Sequence, residues 1–188
     1  MTKRANIFLL LPLLFCGCKK ADPALFELLP PESTGIDFKN TLSESDSLNI
    51  LNYVYYYNGG GVGIADFNND GLDDIFFSGN ETSCRLYLNK GDLKFEDVTK
   101  QAGVETTKWC TGVSVADVNG DGWQDIYVCV AGYPQAGRRR NLLFVNNGKQ
   151  GQISFTEMAE AYGIADTGYT TQAAFFDYDL VGDLDLYV

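Results

Sequence analysis

The chain has 188 residues, with 25 Asp and Glu against 14 Lys and Arg, no His, and a formal net charge of −11. That balance argues against nucleic acid as a partner, and the lack of His removes Cys/His metal clusters and His-based catalysis. Hydrophobic content of 45% with 12 Phe and 11 Tyr is enough for packed β structure.

The first element is not part of a fold. Lys3 and Arg4 form a positive n-region, and Ile7 to Phe15 is an apolar run interrupted only by Pro12. The run is too short to span a bilayer and has the pattern of a signal peptide. It ends in Phe15-Cys16-Gly17-Cys18-Lys19-Lys20, which resembles a bacterial lipobox, although Phe15 stands where Leu is usual. Small Gly17 precedes Cys18, the expected lipidation site and mature N-terminus. Loss of residues 1–17 removes Lys3 and Arg4 and no acid, taking the net charge from −11 to −13. No acid directly follows Cys18, which by resemblance to lipoprotein sorting points to the outer membrane of a Gram-negative bacterium. The lipid would then be the chain's contact with the membrane. Residues 18–50 are polar, carry Pro23, Pro30 and Pro31, and are expected to be a tether.

Residues 51–188 are read as repeated β structure. Asn52 to Gly61, with Tyr53, Tyr55, Tyr56 and Tyr57, is expected to be the edge strand entering the first blade, in preference to an aromatic platform for sugars. Three lines then repeat. Gly61 to Ile75 contains Asp66, Asn68, Asp70, Gly71 and Asp74; Gly112 to Ile126 contains Asp117, Asn119, Asp121, Gly122 and Asp125; Ala173 to Leu186 contains Asp177, Asp179, Gly182, Asp183 and Asp185. The first Asp recurs after 51 and then 60 residues. Each full unit holds four short apolar runs, around the acidic loop, at an Asn/Gly turn, and around Phe95 or Phe155. Alternation and Gly/Asn turns make these strands. The nine extra residues of the second unit are expected in the loop from Gly132 to Arg140. Four strands per repeat is the size of a propeller blade, a sheet with two apolar faces that needs neighbours on both sides. The expected fold is all-β: two complete blades and the opening half of a third, part of a longer protein.

The loops carry the chemistry. Calcium takes about six to eight hard oxygen ligands, and loop positions 1, 3, 5, 7 and 9 can wrap one ion. In the first loop these are Asp66, Asn68, Asp70, the Leu72 carbonyl and Asp74. In the second they are Asp117, Asn119, Asp121, the Trp123 carbonyl and Asp125. Gly71 and Gly122 occupy position 6, where the chain turns sharply. The start looks like an EF-hand, but position 12 is Phe77 or Val128 where that motif needs a bidentate Glu. A solvated turn would use the same residue types; two copies in register, each joining two strands, favour calcium. In the third copy Val181 stands where Asp70 and Asp121 stood. Asp177, Asp179, the Asp183 carbonyl and Asp185 remain, and the site is expected to be degenerate.

This pattern resembles FG-GAP (VCBS-type) repeats, the propeller blades also found in integrin α subunits. The phrase Leu86-Tyr-Leu-Asn-Lys-Gly91, Phe95-Glu-Asp-Val-Thr99 and Ala102-Gly103-Val104 is similar to the cartilage-acidic-protein branch, in which a C-terminal ASPIC/UnbV domain follows. The resemblance covers residues 59–188 and implies a seven-bladed propeller, calcium and an extracellular binding role. It supplies no ligand.

The remaining features are read as structural. Cys84 and Cys110 lie near strand starts in consecutive repeats and could meet, while Cys129 reads as a small buried hydrophobe. Arg138-Arg139-Arg140 is expected to be a solvated loop, and Trp109 and Trp123 to pack. There is no G-x-S-x-G, HExxH or phosphate-cradling glycine loop. The expected function is a calcium-stabilised, surface-tethered propeller that binds protein or glycan partners without catalysis. The alternative is the non-catalytic N-terminal part of an exported, polysaccharide-processing enzyme.

Overall fold

A computed structural model describes residues 25–133 and 136–188. The expected signal segment, 1–17, and Cys18 lie outside the described residues.

The described residues form two four-stranded antiparallel sheets and a further strand pair, the blades expected of an all-β propeller fold. The first sheet runs β1 (Val62–Ala65), β2 (Asp74–Phe77), β3 (Arg85–Asn89), β4 (Phe95–Asp97) in order. The second repeats this as β5 (Cys110–Ala116), β6 (Asp125–Val130), β7 (Leu142–Asn146), β8 (Phe155–Glu157). Strands β9 (Ala174–Phe176) and β10 (Asp185–Tyr187) pair in the same sense. Every acidic loop therefore joins the first two strands of a blade, with Ala65 opposite Asp74, Ala116 opposite Asp125 and Phe176 opposite Asp185.

The blades stack face to face. β1 lies against β5, and β5 against β9. One apolar cluster joins Phe67, Phe76, Leu86 and Leu88 of the first blade to Ile126, Val128, Phe144 and Phe155 of the second. Another joins Tyr127, Cys129 and Leu143 to Ala173, Phe175 and Leu186. With neighbours on both faces, β6 is buried at all six positions, whereas the corresponding β2 alternates. This is the burial that a single blade cannot achieve alone.

Four sequence expectations are corrected. Residues 53–57 form a turn, not an edge strand. Asn49 Oδ1 accepts from Leu51 N–H at 2.9 Å and Asn52 N–H at 3.3 Å, coiling the chain locally. Tyr53 and Tyr56 then bury their rings against Trp109 instead of joining a ladder. Second, the apolar run around Phe95 is followed by a helical turn, α2 (Thr99–Ala102), where only strands were expected; Asp97 Oδ1 accepts from Thr99 N–H at 2.9 Å, and Gly103, at φ 74°, ends the turn. Third, the nine extra residues are divided. β3 and β7 are offset by 57, so six lie between β6 and β7 and three between β7 and β8. Fourth, Arg139 is buried in that first loop. Its Nε donates to Thr167 O and Gly168 O, its Nη1 to Tyr133 O, and its guanidinium covers the Tyr169 ring at 3.9 Å.

Within residues 18–50, a short α1 (Pro31–Thr34) precedes a stretch held to the first blade. Phe38 stacks on Phe77 at 5.0 Å, Tyr87 Oη donates to Asp37 Oδ1 at 2.9 Å, and Asn40 Nδ2 donates to Asn80 Oδ1 at 2.7 Å.

Candidate metal centre

The first loop starts from Asp66, directly after β1. Its Oδ1 accepts from Asp70 N–H at 3.1 Å and its Oδ2 from Gly71 N–H at 2.7 Å. Asn68 Oδ1 also accepts from Asp70 N–H, at 3.0 Å, and Asn68 Nδ2 donates to Asp70 Oδ2 at 3.0 Å. Asp70 Oδ1 takes the Leu72 N–H at 2.9 Å. Gly71 turns the chain at φ 88°, in the left-handed region that costs other residues steric strain.

The second loop repeats this bond for bond. Asp117 accepts from Asp121 N–H at 3.1 Å and Gly122 N–H at 2.7 Å; Asn119 accepts from Asp121 N–H at 3.0 Å and donates to Asp121 Oδ2 at 2.9 Å; Asp121 Oδ1 takes Trp123 N–H at 2.9 Å. Gly122 has φ 86°.

Position 9 lies deeper. Asp74 is fully buried; its Oδ2 accepts from Phe67 N–H at 2.9 Å and its Oδ1 from Asn89 N–H at 2.8 Å. Asp125 holds Val118 N–H at 2.9 Å and Asn146 N–H at 2.8 Å in the same way. Burial pushes the Asp74 carboxyl up to about 6, the two backbone N–H groups pull it down, and the charges of Asp70 and Asp66 push it up. Asp125 is raised for the same reasons, with Asp121 and Asp117 as the neighbouring charges. The carboxylates at positions 1, 5 and 9 thus act on one another in both loops.

This donor set fits a hard divalent cation. Each carboxylate oxygen can accept more than one partner, so the N–H bonds that shape the loop leave acceptor capacity. A cation would relieve the charge carried at positions 1, 5 and 9, although among the described residues those carboxylates do not draw together within 4.8 Å in these two loops as the ones at positions 1, 3 and 9 do in the third. Among the described residues, the ion pairs Arg85–Asp97, Lys90–Glu96 and Arg140–Glu160 include no carboxylate of the two loops, although Lys90 and Glu96 line the same cleft as Asn68 and Asp70. Leu72 and Trp123 enter the network through their N–H groups.

The third loop differs from expectation in one respect. Asp177, Asp179 and Asp185 bring carboxylate oxygens within 4.8 Å of one another. Asp at position 3 replaces the Asn of the other loops, so Val181 removes an oxygen donor without lowering the charge at positions 1, 3, 5 and 9. Asp177 still accepts from Val181 N–H at 3.2 Å and Gly182 N–H at 3.1 Å, and Asp185 from Tyr178 N–H at 2.9 Å. Asp183 is exposed and lies outside that carboxylate group. The loop carries one strained residue, Leu180 at φ 61°, where its counterparts are Asn69 and Gly120.

Two residues not singled out from the sequence complete the sites. Asn89 and Asn146 end the third strands, and each amide nitrogen reaches back to the loop: Asn89 to Asp73 O at 2.9 Å, Asn146 to Gln124 O at 3.3 Å. Asn146 Nδ2 also crosses to the first blade and donates to Phe67 O at 2.8 Å. The two loops themselves meet where Asn69 Nδ2 donates to Gly122 O at 3.2 Å. The signal was present in the parallel Asn-x-Gly of both units.

Residues 66–128, which span both complete loops, match the FG-GAP-like repeat family. The chain is 31% identical over 126 residues to cartilage acidic protein 1 of Xenopus tropicalis, covering 66% of this chain and 18% of that protein. It is 29% identical over 179 residues to integrin alpha-8 of Mus musculus, covering 84% of this chain and 16% of that protein. The chain spans less than a fifth of the length of either relative. The FG-GAP-like match begins on Asp66, the first residue of the first loop.

Proposed function

We propose that this chain contributes calcium-stabilised blades to an extracellular binding propeller whose partners are proteins or glycans. The observation that carries it is the identity of the two loops: the same backbone hydrogen bonds shape both around carboxylates at positions 1, 5 and 9. Asp66, Asn68, Asp70 and Asp74 would hold one ion with the Leu72 carbonyl, and Asp117, Asn119, Asp121 and Asp125 the second with the Trp123 carbonyl. In the third loop Asp177, Asp179 and Asp185 would bind more weakly, with the Asp183 carbonyl as a fourth donor. Bound calcium supplies charge neutralisation and locks the loop; the ligand-binding surface is then set by the stacked blades. No catalytic step is assigned to this chain.

The signal pattern and Cys18 place the protein, in the same reading, outside the cell and on a lipid anchor in the outer membrane. The similarity to cartilage acidic protein 1 is compatible with an ASPIC/UnbV-type domain in a longer protein. No described helix is long and apolar enough to cross a membrane.

Calcium titration followed by thermal unfolding tests the reading. At calcium about 100-fold above its Kd the gain per site is about 2.7 kcal/mol, roughly 5–10 °C in Tm. Asp66→Ala with Asp117→Ala should abolish most of the shift, and magnesium should not replace it. Absence of both heat and thermal shift in the unaltered protein would sink the metal assignment. A glycan array probed in calcium and in chelator then separates glycan from protein partners.

A further inference from the structure

Two thiols meet where the first blade docks on the second. Cys84 immediately precedes β3, and Cys110 is the first residue of β5. Both are fully buried, as free thiols, in the apolar cluster shared by the two blades, where each perturbs the ionisation of the other. The backbone around them is fixed. Cys110 N–H donates to Gly79 O at 2.9 Å, and Asn80 Nδ2 donates to Cys110 O at 2.8 Å. Ser83 Oγ donates to Cys84 O at 3.2 Å and accepts from Thr106 N–H at 3.2 Å. Cys129 belongs instead to the cluster between the second blade and the third strand pair.

We propose that Cys84 and Cys110 are a disulfide site, a cystine that staples the first blade to the second. In the folded chain a hydrogen bond from Cys110 draws the Cys84 thiol below its ordinary range, while the same bond and burial raise Cys110. Before the blades close neither that bond nor burial acts, so either cysteine can lead as the thiolate, Cys84 being the first along the chain. The leading thiolate attacks the sulfur–sulfur bond of a disulfide oxidant, such as oxidised glutathione or a protein disulfide, and releases one thiol. The other cysteine, deprotonated, then displaces the second. Two protein thiols become one cystine, and two electrons and two protons reduce the oxidant to two thiols. Because both side chains are buried in the finished core, the exchange takes place during folding, before the blades close. The bridge encloses 27 residues, 84 to 110 inclusive, a loop long enough for a sizeable effect on stability.

The full chain is refolded in a glutathione redox buffer, alkylated, and cut with an Asp-specific protease, which cleaves between Cys84 and Cys110 at Asp92 and Asp97 and between Cys110 and Cys129 at Asp117, Asp121 and Asp125. A Cys84–Cys110 linked peptide with alkylated Cys129 is expected, and reductant should lower Tm by roughly 10 °C. Cys129→Ala should retain both the linkage and the shift. Three alkylated thiols at 84, 110 and 129, or a linkage of either Cys84 or Cys110 to any other cysteine, overturns the proposal.

Discussion

Asn146 directs every polar atom of its side chain inward. Its amide nitrogen bridges Phe67 O of one blade and Gln124 O of its own, and its Oδ1 accepts from Gly148 N–H at 3.1 Å. The residue is 3% exposed, so truncation leaves buried carbonyls without a donor. Asn146→Ala should cost about 1–3 kcal/mol. Asn89→Ala should cost less, because the Asn89 amide nitrogen reaches only Asp73 O in an exposed setting. Urea unfolding of the two variants checks this; equal losses would mean that the contact to Phe67 contributes nothing. At this scale the oxygen-bearing residues of the loops were legible because they recur in register. Asn146 was not, since Asn before Gly already has a sufficient explanation as a turn. Arg139 was missed for a similar reason: three adjacent Arg suggest solvent, and nothing in the sequence shows that Tyr133, Thr167 and Gly168 present carbonyls to the middle one.

At the scale of the element, the glycine opening each of the first two repeated lines is a docking requirement. A Cβ on Gly61 would stand 2.8 Å from Val113 N, and one on Gly112 would stand 2.5 Å from Thr171 O. At Gly61 the obstacle is the backbone of the next repeat, and at Gly112 it is the Thr171–Gln172 backbone together with Gln172 Oε1; both contacts are already bonded, Ser78 Oγ donating to Thr111 O and Gly112 N–H to Thr171 O at 3.0 Å. A side chain here forces the blades apart, where an exposed loop would simply yield. Gly112→Ala should therefore destabilise by about 1–3 kcal/mol, the usual range for overpacking. Gly151→Ala makes a useful comparison, since nothing lies within 4 Å of its Cβ position, although its φ of 75° adds local strain. Differential scanning calorimetry decides it: a Gly112 variant no less stable than the Gly151 variant would remove the packing argument. The four-strand order was readable from the spacing of apolar runs. The turn at residues 53–57 was not, because β-propensity expresses fit to a half-buried surface, and Tyr53 and Tyr56 find theirs on Trp109.

For the whole molecule, stacked blades bury ionisable groups that water would otherwise charge at high pH. Burial, and then the hydrogen bond to Asp37, push Tyr87 up to about 12. Burial pushes Tyr127 up to about 12 against the opposing bond from Asn141, and burial alone takes the Cys129 thiol up to about 12. In the unfolded chain the tyrosines titrate near 10 and the thiol near 8.5. Below those values folded and unfolded chains bind the same protons at these groups, and their contribution is fully present. As pH rises from about 8.5 towards 12 the unfolded chain releases protons that the folded chain retains, so unfolding is favoured progressively. Stability should fall along this alkaline limb and level off only above the folded values. The three groups lie in different contacts: Tyr87 against Asp37 of the N-terminal stretch, Tyr127 against Ile164 O, Cys129 between the second blade and the third strand pair. A shared limb therefore reports the integrity of the stack. Tyr127→Phe should lower stability near neutrality, through loss of the bond to Ile164 O, yet make the decline between pH 10 and 12 shallower. Urea midpoints measured at half-unit pH intervals test this, and an unchanged slope in the Phe variant would show that Tyr127 ionises freely in the folded protein.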